Sequence, residues 1–179
     1  PQSLKWKDSK TLPQDILDQA ANYQAPNGGM VYYIPQDQYV SPYLSAYTAI
    51  AFNWLRDLGH TPPQAVEDKL HDYLLTLLRQ DVYPDFYTRG MASSVRAVAL
   101  AALAPHGKID QSDLDRYQPH VERMDLFGRA HYLMAATEIA GADSGYAADA
   151  RKQIMAQSVQ SGGKIGFNEE LDDSYTRIL

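Results

Sequence analysis

The stretch that decides the fold is Asn27-Gly28-Gly29-Met30, followed at a short remove by Ser41-Pro42-Tyr43-Leu44-Ser45-Ala46-Tyr47. Two successive glycines permit the positive-φ geometry needed to leave a helix sharply. Ser41 stands where a helix N-cap is wanted. Pro42 follows at the first helical position, whose N–H has no intrahelical partner in any case. The spacing predicts one helix ending at this turn and a second beginning at Ser41.

Working outward, apolar residues recur at three- and four-residue spacing. In Ser41–Leu58, Leu44, Tyr47, Ala51, Trp54, Leu55 and Leu58 share one face, while Ala46, Ala49, Ile50 and Phe52 fill much of the rest. A helix apolar on most sides is a buried one. Pro63–Gln80 differs, with Val66, Leu70, Tyr73, Leu74, Leu77 and Leu78 in one stripe. Glu67, Asp68, Lys69, Asp72, Thr76 and Arg79 cover its other side, where His71 also falls. The alternation continues through a buried Gly90–Ala104 and an amphipathic Ser112–Glu122, capped by Ser112 and interrupted by Pro119. A buried Asp125–Ala140 and a half-polar Ala147–Gln160 complete it, and Pro13–Gln24 precedes the first buried helix.

Inner and outer helices taking turns, with Gly/Pro breaks between them, imply stacked α-hairpins. The prediction is an all-α chain forming an α/α toroid, incomplete over residues 1–179 and belonging to one domain. An incomplete ring leaves apolar flanks on its first and last hairpins, which soluble monomers rarely tolerate. Further helices on both sides are expected to close it in the intact protein. Pro1 and the uncapped Tyr175–Leu179 read as cut points in something larger. A second Gln-then-Gly-Gly stretch, Gln157 to Gly163, is expected to end a helix as the first does, with Ile165–Phe167 folding back under the ring.

Composition narrows the function. The 179 residues are 45% hydrophobic, enough for a sizeable core, and carry a formal net charge of −6. Lys and Arg are scattered singly, so no nucleic-acid partner is expected. No apolar run approaches the roughly 20 residues that span a bilayer. The sequence has no cysteine, which excludes disulfides, thiolate metal sites and a Cys nucleophile within it. No His-x-x-x-His pair is present, and no metal or cofactor is expected.

The Gly-Gly turn and the Leu44-Ser45-Ala46-Tyr47 segment resemble the thioester domains of α2-macroglobulins and complement components. Those domains carry a Gly-Gly-aromatic turn followed closely by Leu-Thr-Ala-Tyr, and Ser45 stands where Thr is usual. Met91-Ala92-Ser93-Ser94-Val95-Arg96-Ala97-Val98-Ala99 is similar to the next inner helix, and Leu126–Ala140 to the one after. The resemblance runs in order over Tyr23–Gly141 and more weakly to Gly163, and its tone is bacterial.

The resemblance implies part of a protease trap rather than an enzyme. A Cys-x-Glu-Gln segment forms an internal thioester, a protease cuts a bait region, and a nucleophile on the attacker captures the acyl group. That segment lies upstream of the Gly-Gly turn, so here it would either fall before Pro1 or be lacking in this protein. The partners implied are target proteases and other domains of the same parent. The parent would be periplasmic, a lipoprotein held to the bacterial inner membrane by an anchor elsewhere in its chain. Some relatives place a His after the second outer helix for transfer to hydroxyls. Here Asp81–Gly90 holds Tyr83, Asp85, Tyr87 and Arg89 but no His, which leaves direct amide formation with lysines.

No catalytic residue is assigned. Tyr32, Tyr33, Tyr43, Tyr83 and Tyr87 are candidates for shielding the thioester or meeting a neighbouring domain, with Tyr39 and Tyr47 in the same aromatic group. Core packing is the competing reading. Arg129 and His131 lie within an apolar helix and need buried partners. The alternative function is an α/α-toroid enzyme, carbohydrate-active or terpene-type, using the acidic Glu169, Glu170, Asp172 and Asp173. A solvated loop is the simpler reading of that cluster.

Overall fold

The computed structural model describes residues 11–33, 39–80 and 82–167. Seven α-helices and one two-stranded sheet occur among them: α1 (Leu12–Asp18), α2 (Pro42–Asp57), α3 (Gln64–Arg79), α4 (Arg89–Leu103), α5 (Gln111–Tyr117), α6 (Leu126–Ala140), α7 (Gly145–Met155), β1 (Ser158–Ser161) and β2 (Lys164–Phe167). No helix among the described residues is long and apolar enough to cross a membrane. The chain forms two compact units, Pro1–Thr76 and Leu77–Leu179, with the boundary inside α3.

In the first unit, α1 is followed by a 3-10 turn, Ala20–Tyr23, rather than continuing to Gln24. Then come the glycine turn and α2, capped as expected by Ser41. The expectation of a helix buried on most sides needs correction. Ser45, Ala46, Ala49, Ile50 and Phe52 face the core, whereas Tyr47, Trp54 and Leu58 are exposed. The largest apolar residues gave the face with the strongest periodic signal, yet the small ones carry the close packing. Helix α3 buries Val66, Leu70 and Leu74, but Glu67 and His71 are buried as well, against their polar-face assignment. Glu67 is held there by the Arg56 guanidinium, whose Nη2 lies 2.7 and 2.6 Å from its two carboxylate oxygens.

In the second unit, α4 is the central helix. Thr88 caps it, and all thirteen residues from Met91 to Leu103 are buried. It packs chiefly on α6, which packs in turn on α7. The close approach of α4 and α6 is set at Gly128, where a Cβ would stand 2.5 Å from Ser94 Oγ. Helix α5 is capped by Asp110 and Asp113 in a reciprocal capping box, not by Ser112, and Pro119 opens a 3-10 stretch, Gln118–Arg123. Two buried phenols tie carbonyls here: Tyr117 donates to Leu78 O at 2.6 Å and Tyr132 to Leu114 O at 3.0 Å.

The end of the chain departs most from expectation. Helix α7 stops at Met155, and Gly162-Gly163 is not a helix exit. Both glycines have positive φ, 58° and 76°, and form the two-residue turn of a hairpin in which Ser161 pairs with Lys164 and Ser158 with Phe167. Every residue of β2 is exposed, so Ile165–Phe167 does not fold back beneath other elements. Double glycine ends a helix or turns a hairpin equally well, and the alternating Val159, Ile165 and Phe167 tip it to strand.

Candidate functional site: the glycine turn and the groove beside it

The site is built around one serine. Ser45 lies a turn into α2, fully buried, and its hydroxyl donates to the Ser41 carbonyl at 2.7 Å while accepting the Met30 amide at 2.8 Å. The Ser41 amide in turn donates to the Met30 carbonyl at 3.0 Å, and the Ser41 hydroxyl caps Leu44. Met30 is thereby joined to Ser45 through its amide and to Ser41 through its carbonyl.

The glycines are what let this joint form. Gly28 has φ +90°, and a Cβ there would fall 2.2 Å from the Lys69 carbonyl of α3; one on Gly29 would fall 2.3 Å from Val40 Cγ1. Helix α3 lies directly against the turn. Gln24 spans them, its amide donating to Gly28 O at 2.9 Å and to Val66 O at 2.8 Å. The motif that decided the fold in sequence is thus a packing joint between the turn, α2 and α3.

Beyond Met30 the chain runs through Val31 to Tyr32 and forms one wall of an apolar groove of about 470 Å³. Ile16 and Ala20 continue that wall, and Leu44, Tyr47, Ala51 and Leu55 of α2 face it. Three of the five candidate tyrosines gather around this place. Tyr32 lines the groove and is exposed, and Tyr33 beside it is 76% exposed. Tyr43 stacks on Tyr47 with ring centroids 5.9 Å apart, and Tyr47 meets the edge of Trp54 at the same distance. Tyr39 is also exposed.

The other two candidates belong to the second unit. Tyr87 is buried and meets Phe86 edge to face. Tyr83 lies under the Arg96 guanidinium, 5.4 Å from its ring centroid, while Arg96 Nη2 donates to Gln80 O at 3.0 Å. These two tyrosines order the loop before α4.

A second joint mirrors the first. Ser94 Oγ donates to Asp125 Oδ1 at 2.8 Å and accepts from the Asp125 amide at 3.2 Å, while the same carboxylate oxygen caps Gly128 N at 2.6 Å. Sequence reading passed over this pair, although Asp125 three residues before Gly128 is a readable cap. Arg129 finds its partners in three carbonyls, those of Val121, Glu122 and Gln153. His131 donates from Nδ1 to Phe127 O at 2.8 Å, and burial pulls its pKa below the usual histidine range. Both serve structure. Glu169, Glu170, Asp172 and Asp173 lie outside the described residues.

No protein-family profile and no curated protein matches the chain. Solved structures do. Native alpha-2-macroglobulin from Escherichia coli, from domain MG7 to the C-terminus, superposes at TM-score 0.69 with 16% identity, over 80% of this chain and 22% of that one. The fold is one found within bacterial alpha-2-macroglobulins. The native conformation of the E. coli protein gives TM-score 0.71 and 17% identity over 82% of this chain and 10% of that one. Salmonella alpha-2-macroglobulin reacted with methylamine gives 0.69 and 16% over 80% and 10%. The chain therefore spans about a fifth of the first macroglobulin chain and about a tenth of the other two.

Proposed function

We propose that this chain is part of a macroglobulin-like protease trap, within a single thioester-type α/α toroid domain. The observation that carries the reading is that the Gly-Gly…Leu-Ser-Ala-Tyr motif forms the Met30–Ser45 joint in a chain with the macroglobulin fold. Two of the similar structures are of a methylamine-reacted and a trypsin-activated macroglobulin. In this reading a protease cuts a bait elsewhere in the parent and exposes a thioester, also elsewhere, since the sequence has no cysteine. An amine of the attacker bonds to the acyl carbon, the carbon–sulfur bond breaks, and the cysteine leaves as thiolate. The thiolate takes up the proton the amine gives up, which leaves an amide and a free thiol.

The role of these residues is to present and shield that group, not to catalyse. Tyr32, Tyr33 and Tyr43 would meet the shielded segment or a neighbouring domain, and Tyr83 and Tyr87 would hold the loop before α4. The parent is proposed to be periplasmic, with a lipid anchor to the inner membrane elsewhere in its chain. Its partners are the proteases it traps and its own further domains.

The test is the intact mass of the full-length parent before and after methylamine, with and without protease. One methylamine adduct together with one new free thiol supports the reading. Absence of adduct, thiol and protease capture in the same samples sinks it.

A further inference from the structure

The glycine turn before α2 contains a reactive pair, Asn27-Gly28. Asn27 alone of the asparagines is followed by glycine. Glycine has no Cβ to hinder its amide nitrogen, so this pair is the one most open to spontaneous deamidation. In that reaction the Gly28 nitrogen gives its proton to a base and bonds to Asn27 Cγ. The side-chain nitrogen takes up a proton and leaves as ammonia. Water then opens the cyclic imide at Cγ to give aspartate, or at the main-chain carbonyl to give isoaspartate, whose backbone is one carbon longer. We infer that Asn27 is a deamidation site gated by the turn: protected while the turn is formed, reactive when it opens, and irreversible because isoaspartate cannot rebuild it.

Both reacting groups are held in the folded chain. The Gly28 amide donates to Ala25 O at 2.9 Å, and Gly28 is buried, so a base from solvent does not reach its proton. Asn27 Oδ1 accepts the Gly29 amide at 3.1 Å, and turning Cγ onto the Gly28 nitrogen breaks that bond. Asn27 itself is exposed, so water stands beside it once the turn opens. The product is then judged by the fit of the turn. Gly28 and Gly29 have no spare room, since an added Cβ would fall 2.2 Å from Lys69 O or 2.3 Å from Val40 Cγ1. Gln24 pins the Gly28 carbonyl and Ser45 pins the Met30 amide. A main chain longer by one atom has no slack to take up between those two ties. Aspartate keeps the original backbone and an oxygen for the Gly29 amide, so it forms the turn.

To test this, the full-length parent is incubated native and in guanidinium chloride at the same mildly alkaline pH. Isoaspartate at position 27 is then quantified by peptide mapping. The native protein should form it at least about tenfold more slowly, the factor expected when two ordinary hydrogen bonds must break first. Ser45→Ala, which frees the Met30 amide, should move the native rate toward the unfolded one. Where that variant does not fold, Gln24→Leu, which loses the bonds to Gly28 and Val66, supplies the comparison. Asn27→Asp should unfold at the same denaturant concentration as the native protein, and the purified isoaspartate form at a lower one. Equal native and unfolded rates overturn the inference, as does a loosened variant that reacts no faster than the native protein. An isoaspartate form as stable as Asn27→Asp overturns it too.

Discussion

The Met30 amide and the Ser45 hydroxyl, 2.8 Å apart and buried, join the glycine turn to the first turn of α2. That bond fixes where the chain goes after leaving α1, and so which side chains line the groove. Removing the hydroxyl leaves a buried N–H without a partner, which costs about 1–3 kcal/mol. Ser45→Ala should lower stability by that amount in urea unfolding, with the slope unchanged.

Gly28 and Gly128 are close-approach positions of different kinds. Gly28→Ala meets both a left-handed φ of +90° and the Lys69 carbonyl. Gly128 has no such φ, and its added methyl meets the Cα and side chain of Ser94. Overpacking alone costs about 1–3 kcal/mol, and the left-handed conformation adds about 1–2 more. Thermal denaturation should therefore rank Gly28→Ala as the more damaging. Equal losses would mean that the turn relaxes.

His131 should make the protein sensitive to mild acid. Burial is the main cause of its lowered pKa, opposed in part by the Phe127 carbonyl and the Asp125 charge. The unfolded chain therefore binds a proton first as pH falls, and stability rises with pH where it does so. The contribution is complete above about pH 6.5, the unfolded value, and declines as pH falls below it toward the folded pKa. Unfolding midpoints between pH 7 and 5 should drop more steeply for the native chain than for His131→Gln.

The hairpin should be nearly silent in stability. Ile165 and Phe167 are exposed, and a two-stranded hairpin is marginal by itself. Ile165→Ser or Phe167→Ser should shift the unfolding free energy by no more than about 0.5 kcal/mol, as for ordinary surface sites. A larger loss in circular-dichroism melts would show that these side chains pack on something.

Sequence alone placed the helices well where periodicity and caps agreed. Ser41-Pro42 and the buried run of α4 are examples, because start signals and apolar spacing there point the same way. It mistook the hidden face of α2, since hydrophobic size dominates a periodic signal while tight helix contacts select Ala and Ser. It left Glu67 and His71 on a wet face, because a carboxylate stays buried only through a partner such as Arg56, remote in the linear pattern. Of the five candidate tyrosines, it could not separate the exposed Tyr32 and Tyr33 from the buried Tyr87. Aromatic residues suit core and interface alike.

Arg129 carries one consequence further. Its guanidinium is satisfied by the carbonyls of Val121, Glu122 and Gln153, tying the 3-10 stretch before α6 to α7. Backbone carbonyl oxygens carry no proton to gain or lose in the biological range. A carboxylate partner would let go in acid, whereas the acceptors of this clasp have no charge to lose. Acid that weakens the packing around His131 would therefore leave the carbonyl clasp at Arg129, and with it the junction of α6 with α7, in place.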